Sequence, residues 1–86
     1  MHVYTTMDTN LIKELIKQTI TNSRVEVHDT TGTADHFKVI VISNAFNNLS
    51  LVNRHKLIYN ALGQYITNEI HALQIVAKTE EENANE

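Results

Sequence analysis

Hydrophobic positions divide the chain into segments of two periods. Leu11, Ile12, Leu15, Ile16 and Ile20 recur at three- and four-residue spacing behind Asp8 or Thr9, either of which can cap a helix. This predicts a first helix that ends near residues 21–23. Val25 and Val27 then alternate with Arg24, Glu26 and His28, the pattern of a half-buried strand with His28 facing outward. Thr-Thr-Gly-Thr-Ala-Asp over 30–35 reads as a hairpin loop. The β-branched run Val39 to Ile42 marks 36–43 as the central strand, with Phe37, Val39 and Val41 on one face and His36, Ile40 and Ile42 on the other. Phe46 anchors a polar connection, and Ser50 can cap a second helix over 51–66. In that helix Leu51, His55, Ile58, Leu62 and Tyr65 form the expected stripe, and Gly63 divides it in two. A third strand over 70–78 places His71, Leu73, Ile75 and Ala77 on its inner face.

These elements predict an α+β domain over residues 9–79, between a loose lead-in (1–8) and an acidic, aperiodic, solvated tail (80–86). At 86 residues the chain has room for one small core. It contains no cysteine, so it has no disulfide and no all-cysteine metal site of its own. No apolar run reaches the roughly 18–20 residues needed to span a bilayer, and we expect a cytoplasmic protein without a membrane partner. The formal charge of -3 disfavours broad capture of a phosphate backbone unless the basic groups cluster.

Five histidines are the main source of candidate chemistry. Their spacing matches no zinc signature. His2 lies in the lead-in, and His55 on the helix stripe reads as a semi-buried residue bonded to nearby backbone. His71, behind the polar turn Thr67, Asn68 and Glu69, stands where a strand end can hold a ligand near solvent. No nucleophile elbow or phosphate-binding glycine loop is present, so no enzyme reading is supported. Lys38, Arg54, Lys56 and Lys78 are the candidate nucleic-acid contacts, Arg54 and Lys56 lying near a helix start.

The segments Val-Glu-Val-His-Asp-Thr-Thr, His-Phe-Lys-Val-Ile-Val-Ile-Ser-Asn-Ala-Phe, Ser-Leu-Val-Asn-Arg-His-Lys-Leu-Ile-Tyr-Asn-Ala-Leu and Glu-Ile-His-Ala-Leu, in that order, resemble the BolA family over residues 25–73. The resemblance implies an α-β-β-α-α-β arrangement similar to the class II KH domain, with helices on one face of a three-stranded mixed sheet. It also implies a non-enzymatic partner of monothiol glutaredoxins that shares a bridging two-iron two-sulfur cluster in iron-sulfur trafficking or iron regulation. The glutaredoxin and glutathione would supply the cysteine thiolates. Within the resemblance, His71 matches the histidine of the Ile-His-Ala motif and is the expected ligand. The family's second ligand is a cysteine or histidine of the hairpin loop. Residues 30–35 contain neither, which leaves His28 and His36 on either side of the loop as substitutes. The family's tryptophan near the C-terminus is also absent.

Histidine in place of thiolate removes negative charge from a cluster and raises its potential, and Asp29, Asp35 or Glu69 could orient the ligating ring. The resemblance also admits a DNA-binding regulator acting through the helical surface of residues 50–62. A second copy of the chain is a further partner to consider.

Overall fold

The computed structural model describes residues 7–66 and 69–86. Its elements run α1 (Thr9–Thr19), β1 (Arg24–Asp29), β2 (His36–Ile42), α2 (Leu51–Leu62), β3 (Ala72–Lys78) and α3 (Glu80–Ala84), with single 3-10 turns at Asn44–Phe46 and Gly63–Tyr65. The sheet order is β1-β2-β3. β1 and β2 pair antiparallel, as a hairpin does, while β2 and β3 pair parallel, so the sheet is mixed. The α+β reading therefore holds. The second half of the expected helix pair is one 3-10 turn, because the chain leaves α2 through Gly63 with φ 24 and ψ -96.

Alternation decides what the sheet buries. Val25, Phe37, Val39, Val41 and Ala77 point into the core, where they meet Ile12, Ile16 and Ile20 from α1 and Ile58 and Leu62 from α2. Arg24, Glu26 and His28 share the other sheet face with His36, Lys38, Ile40 and Ile42. The first helix starts as expected, its Asp8 carboxylate accepting from the Leu11 N–H at 2.7 Å. Residues 7 and 8, read with the lead-in, belong to the fold: Met7 is buried in the core and Asp8 is the cap. Residues 1–6, with His2, and residues 67–68 of the polar turn lie outside the described residues.

Two further elements differ from the sequence pattern. The buried stripe of α2 is Arg54, Ile58 and Leu62, while Leu51 stays 64% exposed. The helix is turned so that an arginine, rather than Leu51, takes the position over the core. The segment read as an aperiodic tail also forms a helix, α3. Its Thr79 hydroxyl accepts from the Glu82 N–H and the Glu82 side chain accepts from the Thr79 N–H, a reciprocal cap. The side chains of α3 remain solvated, but its backbone is ordered by this local bonding. Among the described residues, no helix is long and apolar enough to cross a membrane.

Candidate functional site

The hairpin loop is organised by one carboxylate. Asp29 accepts from the backbone N–H groups of Gly32 at 2.8 Å, Ala34 at 2.9 Å and Thr31 at 3.3 Å. Ala34 has φ 60, a left-handed conformation that costs a residue with a Cβ about 1–2 kcal/mol. The bonds from Asp29 offset that cost and deliver Asp35 to a fixed place. Asp29→Ala is expected to destabilise the domain by about 1–2 kcal/mol, read from the denaturant midpoint at unchanged slope.

From that place Asp35 ties two histidines together. Its backbone carbonyl accepts from the N–H groups of His71 at 2.7 Å and Ala72 at 3.2 Å, which anchors the start of β3 beside the start of β2. Its carboxylate lies 2.8 Å from Nδ1 of His36 through Oδ1 and 3.4 Å from Nδ1 of His71 through Oδ2. The two rings stand edge to face, 6.3 Å between centroids. Both side chains reach solvent, His36 at 42% and His71 at 56% exposure. A hydrogen bond from the Thr33 hydroxyl, then one from the His36 ring, holds the Asp35 carboxyl below its usual range.

His71 is placed differently from the strand reading. It lies in a bend before β3 and is exposed, because successive N–H groups at 71 and 72 converge on one carbonyl and interrupt the alternation. The inner face begins only at Leu73. His36 lies on the Ile40 and Ile42 face, as alternation predicts. His28 is exposed on the same face opposite Lys38, and its Nε2 lies 3.4 Å from Glu26. It has neither a ring contact with the other two histidines nor a share in Asp35. Among the described residues, no group of three or more histidine, cysteine, aspartate or glutamate side chains converges as a metal site. Glu69 does not join the pair either, and its Oε2 is buried with no hydrogen-bond partner among the described residues.

The basic candidates do not form one open surface. Arg54 is 7% exposed. Its Nε donates to Leu49 O at 3.0 Å, Nη1 to Ala77 O at 3.2 Å, and the two Nη atoms reach the Glu82 carboxylate at 2.6 and 3.2 Å. Its Cζ lies 5.9 Å above the Phe46 ring. The solvent-facing role expected of Arg54 is thus corrected: its stem covers core and its charge meets Glu82. Lys78 pairs with Glu86, Lys38 stands on the outer sheet face, and Lys56 is exposed on α2. His55 lines the groove between α2 and β3 beside Leu51 and Ile75.

Arg54 also sets the titration of its partner. Its hydrogen bonds, and after them the one from the Thr79 N–H, lower the Glu82 carboxyl from 4.5 to about 2. Because the folded value is depressed, what this pair contributes to holding α3 is complete above about 4.5 and is lost as pH falls towards about 2. A carbon-detected titration of Glu82 should show its midpoint near 2, and an Arg54→Lys variant should move it upward. An unmoved midpoint would show that Arg54 is not its cause.

The family model described as BolA-like protein matches residues 9–82. A protein of Rickettsia prowazekii called uncharacterized protein RP812 is 31% identical over 64 residues, which span 74% of this chain and 83% of that protein. The DNA-binding transcriptional regulator BolA of Haemophilus influenzae is 38% identical over 55 residues, 64% of this chain and 53% of that one. Three further curated relatives are longer, and the chain spans between 12% and 35% of their length. Among solved structures, a BolA homologue from Coxiella burnetii superposes with a TM-score of 0.76 at 32% identity, covering 91% of this chain and 97% of the other.

Proposed function

The chain belongs to the BolA family, and from that premise we propose that it is a non-catalytic partner of a monothiol glutaredoxin, contributing His71 and His36 to a two-iron two-sulfur cluster shared between the two proteins. The observation that supports this reading is the pairing of His36 and His71 across one carboxylate. With both Nδ1 atoms turned to Asp35, Nε2 of each ring is left for a metal, the orientation that metal-bound histidines generally obtain from a carboxylate behind them. Two exposed imidazoles without a cysteine suit the histidine half of a shared site, with thiolates supplied by the glutaredoxin and by glutathione. Within this reading His28, facing Glu26, is a bystander.

The bound cluster would supply electron-transfer and transfer-of-cargo chemistry. The chain's own residues position two nitrogen donors on a rigid rim, between the end of a hairpin and the start of a parallel strand. Titrating the protein into glutaredoxin carrying its cluster, while recording visible absorption and circular dichroism, tests the proposal. The expected result is a saturable change of the cluster bands with formation of a heterodimer; unchanged bands and no complex would overturn it.

The DNA-binding alternative draws on the Haemophilus relative's name and on Lys56, but Arg54 faces inward to Glu82 rather than outward from the helix surface. Duplex affinity that falls steeply with salt would favour it over the glutaredoxin reading.

A further inference from the structure

Residues 80–86, α3 and the two residues that follow it, neutralise basic groups from three other elements. Glu80 pairs with Arg24 of β1 at 3.0 Å, Glu82 with Arg54 of α2 at 2.6 Å, and Glu86 with Lys78 of β3. Arg24 and Lys78 sit on the same rung of the sheet, on either side of Ile42, and the Arg54 guanidinium reaches the same end through Ala77 O. Glu80 and Glu82 lie within α3 and Glu86 lies just past its end, so one short stretch, residues 80–86, serves all three cations.

The Arg54 seat does not depend on α3 for its shape. Leu49 O, Ala77 O and the Phe46 ring fix the guanidinium, so its outer fork is oriented for a carboxylate whichever segment carries it. Beside the pair lies a polar cleft lined by Asn47, Asn48, Thr79 and Glu81, through which an incoming chain can approach while Glu82 is still in place.

We propose that Arg24, Arg54 and Lys78 form a docking surface for an acidic segment of a partner protein, and that residues 80–86, α3 with Glu86, are the occupant held there in cis until such a segment replaces them. This surface is separate from the His36 and His71 rim and does not rest on the cluster reading. The occupant in place identifies the chemistry: three glutamate carboxylates on a short stretch of chain. Arg54 is recessed, its side chain 9% exposed, so a single carboxylate on a flexible stem reaches it, whereas the broad backbone of a duplex does not. Short tethering gives α3 an effective concentration on the order of millimolar, so wild-type protein should exclude any weaker acidic segment.

The test uses the full chain with Glu80→Gln, Glu82→Gln and Glu86→Gln together, which carries the formal charge from -3 to 0. Glutamine also satisfies the reciprocal cap at position 82, so α3 is retained while its charge is removed. The probe is a synthetic peptide of residues 79–86, added in trans and followed by NMR at the Arg54 Nε–H. We expect the triple variant to bind the peptide at least about tenfold more tightly than wild type does. Adding Arg24→Gln and Lys78→Gln, both outside the core, should weaken that binding. Equal affinity for wild type and variant, or binding indifferent to Arg24 and Lys78, would overturn the proposal. A short DNA duplex forms the second arm: duplex binding without peptide binding would overturn the assignment to an acidic protein segment.

Discussion

A His71→Ala variant, mixed with cluster-loaded monothiol glutaredoxin, should leave the visible spectrum of the glutaredoxin's own cluster unchanged, while wild-type protein alters it. His71 is 56% exposed, with the Asp35 carboxylate and the edge of the His36 ring beside it, so the fold should change by no more than about 0.5 kcal/mol. The electronic effect is expected to be far larger. Exchanging thiolate for imidazole on one iron raises the potential by on the order of 100 mV or more, and that increment should be missing in the variant. His36→Ala separates the two ligands: loss of the same spectral change would place both histidines on the cluster, and retention would reduce His36 to a neighbour. Asp35→Asn keeps the loop's shape but removes the carboxylate shared by the rings, and should weaken the complex by about 10–100-fold while the bands of the saturated complex remain. A His71→Ala protein that changes the bands as wild type does would sink the assignment.

The second large effect is on stability. Phe46→Ala should cost about 3–5 kcal/mol, since the ring is fully buried and its removal leaves a cavity beneath Arg54. For 86 residues the total is roughly 4–13 kcal/mol, so the variant should lose between about a quarter and all of the domain's stability. The damage extends to α3, because the ring is one of the groups that fix the guanidinium holding Glu82. Chemical denaturation followed by circular dichroism measures the cost. Val52→Ala, at a position 64% exposed, is the control and should change little. A cost below about 1 kcal/mol for Phe46→Ala would show that the connection between β2 and α2 is not part of the core.

Much of this architecture is written in local periodicity. Asp8, Ser50, Val25, Val27, Phe37, Val39 and Val41 behave as their spacing predicts, because a cap needs only its own first turn and strand alternation needs only the pleat. The hairpin around Gly32 is local in the same sense. Periodicity failed where a polar side chain was treated as a marker of solvent. Arg54 occupies a core position because two carbonyls, an aromatic face and a carboxylate surround it, and these come from Leu49, Ala77, Phe46 and Glu82. The glutamate run over 80–82 carries a visible signal, Thr79 followed three residues later by Glu82, which marks a helix start even in an acidic segment.

The sequence by itself determined the order α1, β1, β2, α2 and β3, the two faces of each β-strand in the hairpin, and a chain with histidines but no thiol to offer. Only the tertiary structure decided which histidines meet. The parallel pairing of β2 with β3 sets His36 opposite Ala72, one residue from His71, and the Asp35 carboxylate then bonds the His36 ring and lies 3.4 Å from that of His71. That register joins segments separated by the whole of α2, and a period of two can assign a residue to a face of its strand without saying which strand lies beside it.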